Sequence, residues 1–284
     1  MRMTTTWLHV HGILPHRALL SLNLRFYAGI NANTVTGLKV AMVERTMSVC
    51  RPVFDPTTTR RCDPLTLAEQ LFERYCRWAG IRATRIPTST TKTPDYRMSV
   101  GDLDIIVELK QLDPNEEEKA ELARFDQGKS GGYSAVPGNR LRREISKAGT
   151  QLATIARNQH PSMVVFYNNV FLRFHTDPYN VRVAMYGVEQ VVVAVSSDPR
   201  IRTRYAGTKF GPKRKMTSQH NTTISAVGVL ILNPPGDLQS PQLIVYHNIY
   251  ARHPLSSEVL RPYGVPQFTL PEGSPNSSRE WIEA

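Results

Sequence analysis

The sequence predicts an α/β fold, with a central mixed sheet flanked by helices in the order αβββαβ and followed by a mixed C-terminal extension. Three observations predict it: apolar residues recur at helical spacing after residue 63, two alternating segments flank a glycine at residue 101, and a second long helical pattern precedes an apolar run at residue 163. Helices that alternate with strands are typical of a sheet with helices packed on its faces.

The first helix is predicted to begin after Asp63, whose carboxylate can cap it, with Pro64 as the first helical residue. Gly80 is suited to end this helix. A short strand over 81–86 and a polar turn over 87–93 are predicted to follow. The apolar residues that define the helical face are Leu67, Leu71, Phe72 and Tyr75.

The elements after the hairpin are predicted from the same patterns. The acid-rich segment 113–121 is interpreted as a solvated loop or a helix start. His247, Asn248 and His253 are interpreted as polar residues at a sheet edge. The remaining predictions are a helix over 139–158, a strand over 163–166, a helix or a strand over 186–195, and strands over 224–232 and 242–246.

The composition limits the class of protein. The 284 residues carry a formal net charge of +11, and 40% are hydrophobic. This composition is too apolar for wholesale disorder, and no apolar run reaches the ~20 residues that cross a bilayer. The positive charge favours a polyanionic partner. Three cysteines without metal-ligand spacing favour a reducing compartment, so a cytoplasmic location is expected.

Three regions are predicted along the chain. Residues 1–60 are expected to be a poorly structured leader or to reflect a start codon assigned too early, because the first 43 residues hold no acidic residue and glycine and proline interrupt every helical run. Residues 61–270 are expected to form one folded domain. Residues 271–284 are expected to be a flexible tail.

A β-hairpin over 94–111 is the most informative stretch. Two alternating segments flank the Gly-Asp pair at 101–102, which suits a two-residue type II′ turn. With that turn, Asp95 is predicted to face Glu108 across the two strands. The same register collects seven apolar side chains on one face: Tyr96, Met98, Val100, Leu103, Ile105, Val107 and Leu109.

Asp95, Glu108 and Lys110 are predicted to share the opposite, polar face. Two carboxylates opposed across antiparallel strands have Cβ atoms ~5 Å apart, and like charges in this position are destabilising. Two arrangements can offset the repulsion: a divalent cation bound by the carboxylate oxygens, or a structural salt-bridge cluster with Lys110 and Arg97. In the first arrangement, Lys110 lies next to any water that the cation binds.

The hairpin motif resembles that of the PD-(D/E)XK nuclease superfamily, which has the restriction-endonuclease-like fold. The motif here is Pro94-Asp95, twelve intervening residues, and then Glu108-x-Lys110. The resemblance covers roughly residues 65–166, and the αβββαβ order of the family's core is similar to the order predicted above. The motif is short, and the predicted hairpin register and the flanking helices add to the resemblance.

The resemblance implies that residues 61–270 form a nuclease-like domain, and that the protein is a Mg²⁺-dependent nuclease that hydrolyses phosphodiester bonds in DNA, with Mn²⁺ as a plausible substitute for Mg²⁺. Asp95 and Glu108 are implied to bind the metal, and Lys110 to assist the nucleophilic water. Glu69, which matches the acidic position on the family's first helix better than Glu73, is implied to bind the metal through water. The alternative hypothesis is a nucleic-acid-binding module that keeps the fold without catalysis.

Two further groups of residues are candidates for contact with DNA. The segment 200–215 is predicted to be a flexible basic loop that contacts phosphates through Arg202, Arg204, Lys209, Lys213, Arg214 and Lys215. The second helix presents a polar stripe of Arg143, Lys147 and Gln151. Solvated charged surfaces are the plainer interpretation of both groups. RNA stays an alternative substrate, and the sequence leaves a homodimer open.

Overall fold

The computed structural model describes residues 64–87, 93–129, 135–155, 160–170, 173–198, 200–232, 238, 240–271 and 280–284. Several predictions therefore lie outside the described residues. They concern the leader at 1–60, the centre of the polar turn at 88–92, the end of the second helix at 156–158 and the tail at 272–279.

A mixed eight-stranded sheet dominates the fold, as predicted. The strands of the described residues are β1 (Arg82–Arg85), β2 (Tyr96–Val100), β3 (Leu103–Leu112), β4 (Ser162–Asn168), β5 (Glu189–Ala194), β6 (Arg204–Phe210), β7 (Ala226–Leu232), β8 (Pro241–His247), β9 (Gln267–Thr269) and β10 (Ile282–Glu283). The large sheet has the order β1-β2-β3-β4-β7-β8-β9-β10. Its parallel centre, β3-β4-β7, is mostly buried, because helices or other segments cover both faces.

Helices pack on both faces of this sheet. The α-helices of the described residues are α1 (Leu67–Ala79), α2 (Glu116–Asp126), α3 (Asn139–Ile155), α4 (Pro178–Tyr186) and the single turn α5 (Ser257–Leu260). Side chains of α1 join one hydrophobic core with the side of β3 that carries Ile105 and Val107, whereas α3 and α4 join a second core with Ile106 on the other side. No described helix is long and apolar enough to span a membrane.

Helix α1 begins later than predicted. Its N-cap is Thr66, whose side chain accepts the backbone N–H of Glu69, while the Glu69 side chain accepts the backbone N–H of Thr66. This reciprocal capping box starts the helix at Leu67 rather than at Pro64. Gly80 ends the helix as predicted, with a φ of 70° that glycine adopts without a steric penalty.

The hairpin has the predicted register and the predicted core face. The observed pairs include Val100–Leu103, Met98–Ile105 and Tyr96–Val107. Six of the seven apolar side chains of that face are buried in the core beneath α1, and Leu103 is half-buried against it. The two-residue turn thus fixes which side chains are left for the polar face.

An additional helix separates β3 from the predicted second helix. The segment interpreted as a solvated loop or helix start forms α2, with a capping box between Asn115 and Glu118. Glu118 is buried, and two partners satisfy its carboxylate: Arg140 donates a hydrogen bond to it at 2.8 Å, and His175 Nε2 lies 2.6 Å away. The order along the chain is therefore αβββααβ up to β4.

The predicted basic loop is in part a strand, because Arg204–Phe210 form one half of a two-stranded β-ribbon. Strand β6 pairs antiparallel with β5, with a bulge between Val192 and Val193. The root of the ribbon is tightly packed: a Cβ added to Gly187 would lie 2.7 Å from the Gly211 carbonyl oxygen, and Phe210 is buried in the second core. The ribbon is therefore a defined element with an anchored base.

The end of the predicted tail belongs to the sheet. Residues 280–284 include β10, which pairs with β9. The Trp281 indole donates to the Pro178 carbonyl at 2.8 Å and lies 4.9 Å from the Tyr246 ring, centroid to centroid. These contacts connect this segment to α4 and β8.

Candidate active site

Asp95 lies one residue before β2. Its backbone N–H donates to the Val107 carbonyl at 3.1 Å, and its Oδ2 accepts the backbone N–H of Leu109 at 2.7 Å. The regular ladder between β2 and β3 ends at Tyr96–Val107, so Asp95 is not the ladder residue predicted opposite Glu108. It reaches β3 through its side chain, which holds the carboxylate beside that strand.

Glu108 is the most deeply buried acid of the site, with an exposed fraction of 1%. Its Oε1 accepts Lys110 Nζ at 2.5 Å. Its Oε2 is buried and has no hydrogen-bond partner within the described part of the chain. An unsatisfied buried polar group costs ~1–3 kcal/mol, and more when it is charged, so this oxygen favours a positively charged or hydrogen-bonding ligand.

The two acids oppose each other's ionisation. Burial raises the pKa of Glu108 to about 7, the negative charge of Asp95 adds to this rise, and Lys110 acts against it. Burial also raises the pKa of Asp95, against the lowering effects of the Leu109 N–H and of Lys110. Burial and a neighbouring like charge both favour the protonated carboxyl group. A bound cation has the opposite effect, because it lowers the pKa of the carboxylates that contact it.

Lys110 and Gln151 complete a small polar cluster. Lys110 Nζ donates to Gln151 Oε1 at 3.1 Å as well as to Glu108. Gln151 lies on α3, which packs on the same side of β3 as Glu108. The predicted neighbours Asp95, Glu108 and Lys110 are thus brought together, and the helical stripe adds Gln151 to them.

The other members of the predicted stripe on α3 lie on the surface. Arg143 Nε and Lys147 Nζ both contact the carboxylate of Glu144, at 3.0 and 2.9 Å. Both cations are exposed, so they leave the helix on the side that is open to solvent. Contact of Arg143 and Lys147 with DNA stays a prediction.

Glu69 is held in another set of contacts. Its Oε2 accepts both the backbone N–H and the hydroxyl of Thr66, at 2.7 and 2.8 Å, and its Oε1 accepts Arg85 at 3.0 Å. Glu69 is close enough to raise the pKa of Asp95, although burial has the larger effect. These contacts give Glu69 a capping role, and its predicted water-mediated contact with a metal stays a prediction.

Sequence reasoning missed Arg85 and the role of Glu73. Arg85 pairs with Tyr96 in the ladder between β1 and β2, and its charge opposes the effect of burial on the pKa of Asp95. Glu73 accepts the Tyr96 hydroxyl at 2.8 Å. The alternation over 81–86 indicates β1, but the long connection to β2 does not define the register that brings Arg85 to the site.

The cations of the β-ribbon differ in their surroundings. Lys209 and Arg204 pair with Gln190 and Ala194, so both project from one face of the ribbon. Arg214, predicted to contact DNA, instead donates to the backbone carbonyl of Gly211 at 3.1 Å, and it is half-buried, as is Lys215. The exposed candidates, none in an ion pair with another described residue, are Arg202, Arg204, Lys209 and Lys213.

A separate cavity of about 290 Å³ lies at the ends of β8 and β9. His247, interpreted from the sequence as an edge residue, is buried there, and its Nε2 contacts Gln267 Oε1 at 3.1 Å. Burial lowers the pKa of His247, which favours the neutral ring. The cavity contains neither acid of the hairpin; it is lined by Ser225, His247, Asn248, Ile249, Pro254, Leu255, Ser257, Thr269 and Ala284.

Comparisons of this chain with protein-family models, with curated proteins and with solved structures found no match. Within the described residues, no group of three or more His, Cys, Asp or Glu side chains is arranged to hold a metal ion. The resemblance to the PD-(D/E)XK nucleases therefore depends on the residues of this chain. The side chains that we consider as cation ligands are the carboxylates of Asp95 and Glu108.

Proposed function

We propose that this protein is a metal-dependent nuclease that hydrolyses phosphodiester bonds in DNA, with a restriction-endonuclease-like core. One observation carries the proposal: Asp95 and Glu108 lie close enough to interact although burial raises the pKa of both and the charge of Asp95 raises that of Glu108 further. In a purely structural hairpin the two acids have only their contacts with the Leu109 N–H and with Lys110 to offset burial. A site that binds a divalent cation gains its ligands.

The donor set suits Mg²⁺, with Mn²⁺ as a substitute. Carboxylate oxygens are hard ligands, and the buried Oε2 of Glu108 has no partner among the described residues. Asp95 and Glu108 would hold the ion. A divalent cation bound there would polarise the scissile phosphate and lower the pKa of a coordinated water.

Lys110 supplies a second positive charge at the same place. Its ammonium contacts Glu108 and Gln151, so it is held within reach of a phosphate oxygen or of a water beside the two acids. A fixed ammonium in a partly buried site stabilises negative charge that develops on the phosphate and orients the attacking water. Gln151 is a positioning residue in this scheme, because it contacts Lys110 and its hydrogen bond with Glu108 lowers the pKa of that acid.

The surface chemistry supports DNA as the substrate. Arg204 and Lys209 project from one face of the β-ribbon, and Arg143 and Lys147 lie on the exposed side of α3. Lysine and arginine side chains supply the sequence-independent part of DNA affinity, and a two-stranded ribbon has the width that the major groove admits.

Cleavage assays with substituted carboxylates test the proposal. Purified protein is incubated with supercoiled, linear and branched DNA, with Mg²⁺ and with a chelator. We expect Mg²⁺-dependent cleavage that falls about 100-fold or more in Asp95→Ala and Glu108→Gln, while DNA binding is kept. Glu258→Gln is the matched control, because it removes a carboxylate from an exposed ion pair with Arg261.

A non-catalytic nucleic-acid-binding module is the second candidate. It is favoured by the Lys110–Glu108 contact, which partly neutralises the buried acid without a metal, and by the lack of a third metal-binding side chain among the described residues. Under this alternative, the unmodified protein binds DNA and cleaves none of the three substrates with Mg²⁺ or Mn²⁺.

A further inference from the structure

The polar face of the hairpin continues beyond the candidate active site. Glu108 lies two residues after Ile106, so both side chains leave the same face of β3. Two cross-strand rows extend that face onto β2 and β1: Thr84–Arg97–Ile106 and Arg82–Ser99–Asp104. The rows therefore place two arginines on strands that adjoin the two acids.

The spacing of these rows follows from strand geometry. Arg97 lies two residues after Asp95, or ~7 Å along the strand direction. Arg82 lies one row further away, on the neighbouring strand. Arg97 is thus one row of same-face side chains away from the acids, and Arg82 is two rows away.

This part of the sheet is open to solvent. The side chains of Arg82, Thr84 and Arg97 are exposed, and that of Arg97 has an exposed fraction of 52%. The reverse sides of the same strands are in the core, where Tyr96 and Met98 are buried beneath α1. The open face is therefore a fixed surface rather than a loop.

The two arginines are available to an anionic ligand. Arg97 contacts Asp104 at 3.4 Å in an exposed pair, and such pairs contribute ~0–1 kcal/mol. Arg82 makes no ion pair with another described residue. A guanidinium presents a planar set of donors that matches two phosphate oxygens.

We propose that the open face of β1 and β2 binds the phosphate backbone of the duplex DNA substrate next to the scissile bond, through Arg82 and Arg97. This inference rests on the proposed function. The two rows contain no aromatic side chain on which unpaired bases could stack, so the surface favours backbone contact with a duplex. The adjoining acids place this contact within a few phosphates of the reacting bond.

The test measures DNA binding separately from cleavage. Every variant is made in the Glu108→Gln background, and its affinity for a duplex oligonucleotide is measured over a range of salt concentrations. Each lost phosphate contact lowers the magnitude of the slope of log K against log salt by ~0.9, so Arg82→Gln with Arg97→Gln is expected to lower it by about 2. Arg97→Lys keeps a cation and is expected to keep its share of the slope.

A double substitution on the opposite face is the matched control. Arg77 and Arg261 belong to elements that pack on the α1 side of the sheet, so Arg77→Gln with Arg261→Gln removes the same charge elsewhere. An equal slope in the two double variants overturns the inference, even if the unmodified protein cleaves DNA. A reduced slope specific to Arg82 and Arg97 supports the inference. An absence of cleavage in the unmodified protein would overturn only the nuclease activity.

Discussion

Glu108 carries its charge where both burial and the neighbouring Asp95 oppose it. Its ordinary pKa of 4.5 is raised to about 7 in the folded protein. Between about pH 4.5 and about pH 7, Glu108 keeps its proton in the folded state and releases it in the unfolded state. The stability that this group contributes is therefore complete below about pH 4.5 and is lost as the pH rises through about 7.

Binding of Mg²⁺ is expected to have the opposite dependence on pH. The metal needs the ionised carboxylate, and a group with a pKa of about 7 is ionised in only about a tenth of the molecules at pH 6 and in about nine tenths at pH 8. We expect the apparent Kd for Mg²⁺ to tighten about tenfold between pH 6 and pH 8, measured by calorimetry without DNA.

The Glu108→Gln protein provides the comparison for this measurement. Glutamine has no proton to lose, so the pH dependence contributed by this position should disappear together with most of the affinity. An equal Kd at pH 6 and pH 8 in the unmodified protein would contradict a metal site built on Glu108.

At the scale of the element, Glu69 lies at the start of α1 and next to the candidate site. One oxygen of its carboxylate contacts Thr66 in the capping box, and the other forms the ion pair with Arg85. Loss of an N-cap side chain typically costs ~1 kcal/mol. Thr66→Ala is therefore expected to lower the Tm by about 2–4 °C in thermal unfolding, while Thr66→Ser keeps the cap and the Tm.

Activity measurements on Glu69→Gln then separate capping from catalysis. Both oxygens of Glu69 are occupied by Thr66 and Arg85. At assay temperatures well below the Tm, we therefore expect the cleavage rate of the Glu69→Gln variant to equal that of Thr66→Ala. A further loss of tenfold or more, specific to Glu69→Gln, would show that the carboxylate also acts in the site.

The hairpin was predictable because its turn is local. A Gly-Asp turn of two residues leaves one register, which decides that Tyr96 lies opposite Val107 and that Arg97 lies opposite Ile106 on the polar face. The β-ribbon was not predictable in the same way. Nine residues at 195–203 connect β5 to β6, and the bulge after Val192 breaks the alternation, so the basic strand was predicted as a loop.

At the scale of the whole molecule, the sequence predicted the sheet but not its order. Strands β4 and β7 are neighbours although ribbon and helix residues separate them in the chain, and no local turn specifies that pairing. The site was more accessible to prediction because three of its residues come from one hairpin. Gln151 required the packing of α3, and Arg85 required the pairing of β1, which only tertiary structure decides.

The last strand is expected to contribute to the stability of the whole fold through Trp281. Its indole lies 4.9 Å from the Tyr246 ring and 6.1 Å from the Tyr186 ring, and it donates to Pro178. It thus connects the sheet edge to α4 and the second core. Truncation of a fully buried tryptophan costs ~3–5 kcal/mol, and Trp281 is half-buried, so we expect Trp281→Ala to lower the free energy of unfolding by ~2 kcal/mol.

Chemical denaturation of two tryptophan variants checks this expectation. Trp78 on α1 has an exposed fraction of 69%, so Trp78→Ala removes the same side chain from the surface and should change the free energy of unfolding by less than ~0.5 kcal/mol. Equal effects of the two substitutions would mean that the contacts of Trp281 contribute little, and that the eight-stranded sheet is stable without its last strand. A larger effect of Trp281→Ala, with unchanged DNA binding, would mean that the end of the chain stabilises the fold independently of the polar face of β1 and β2.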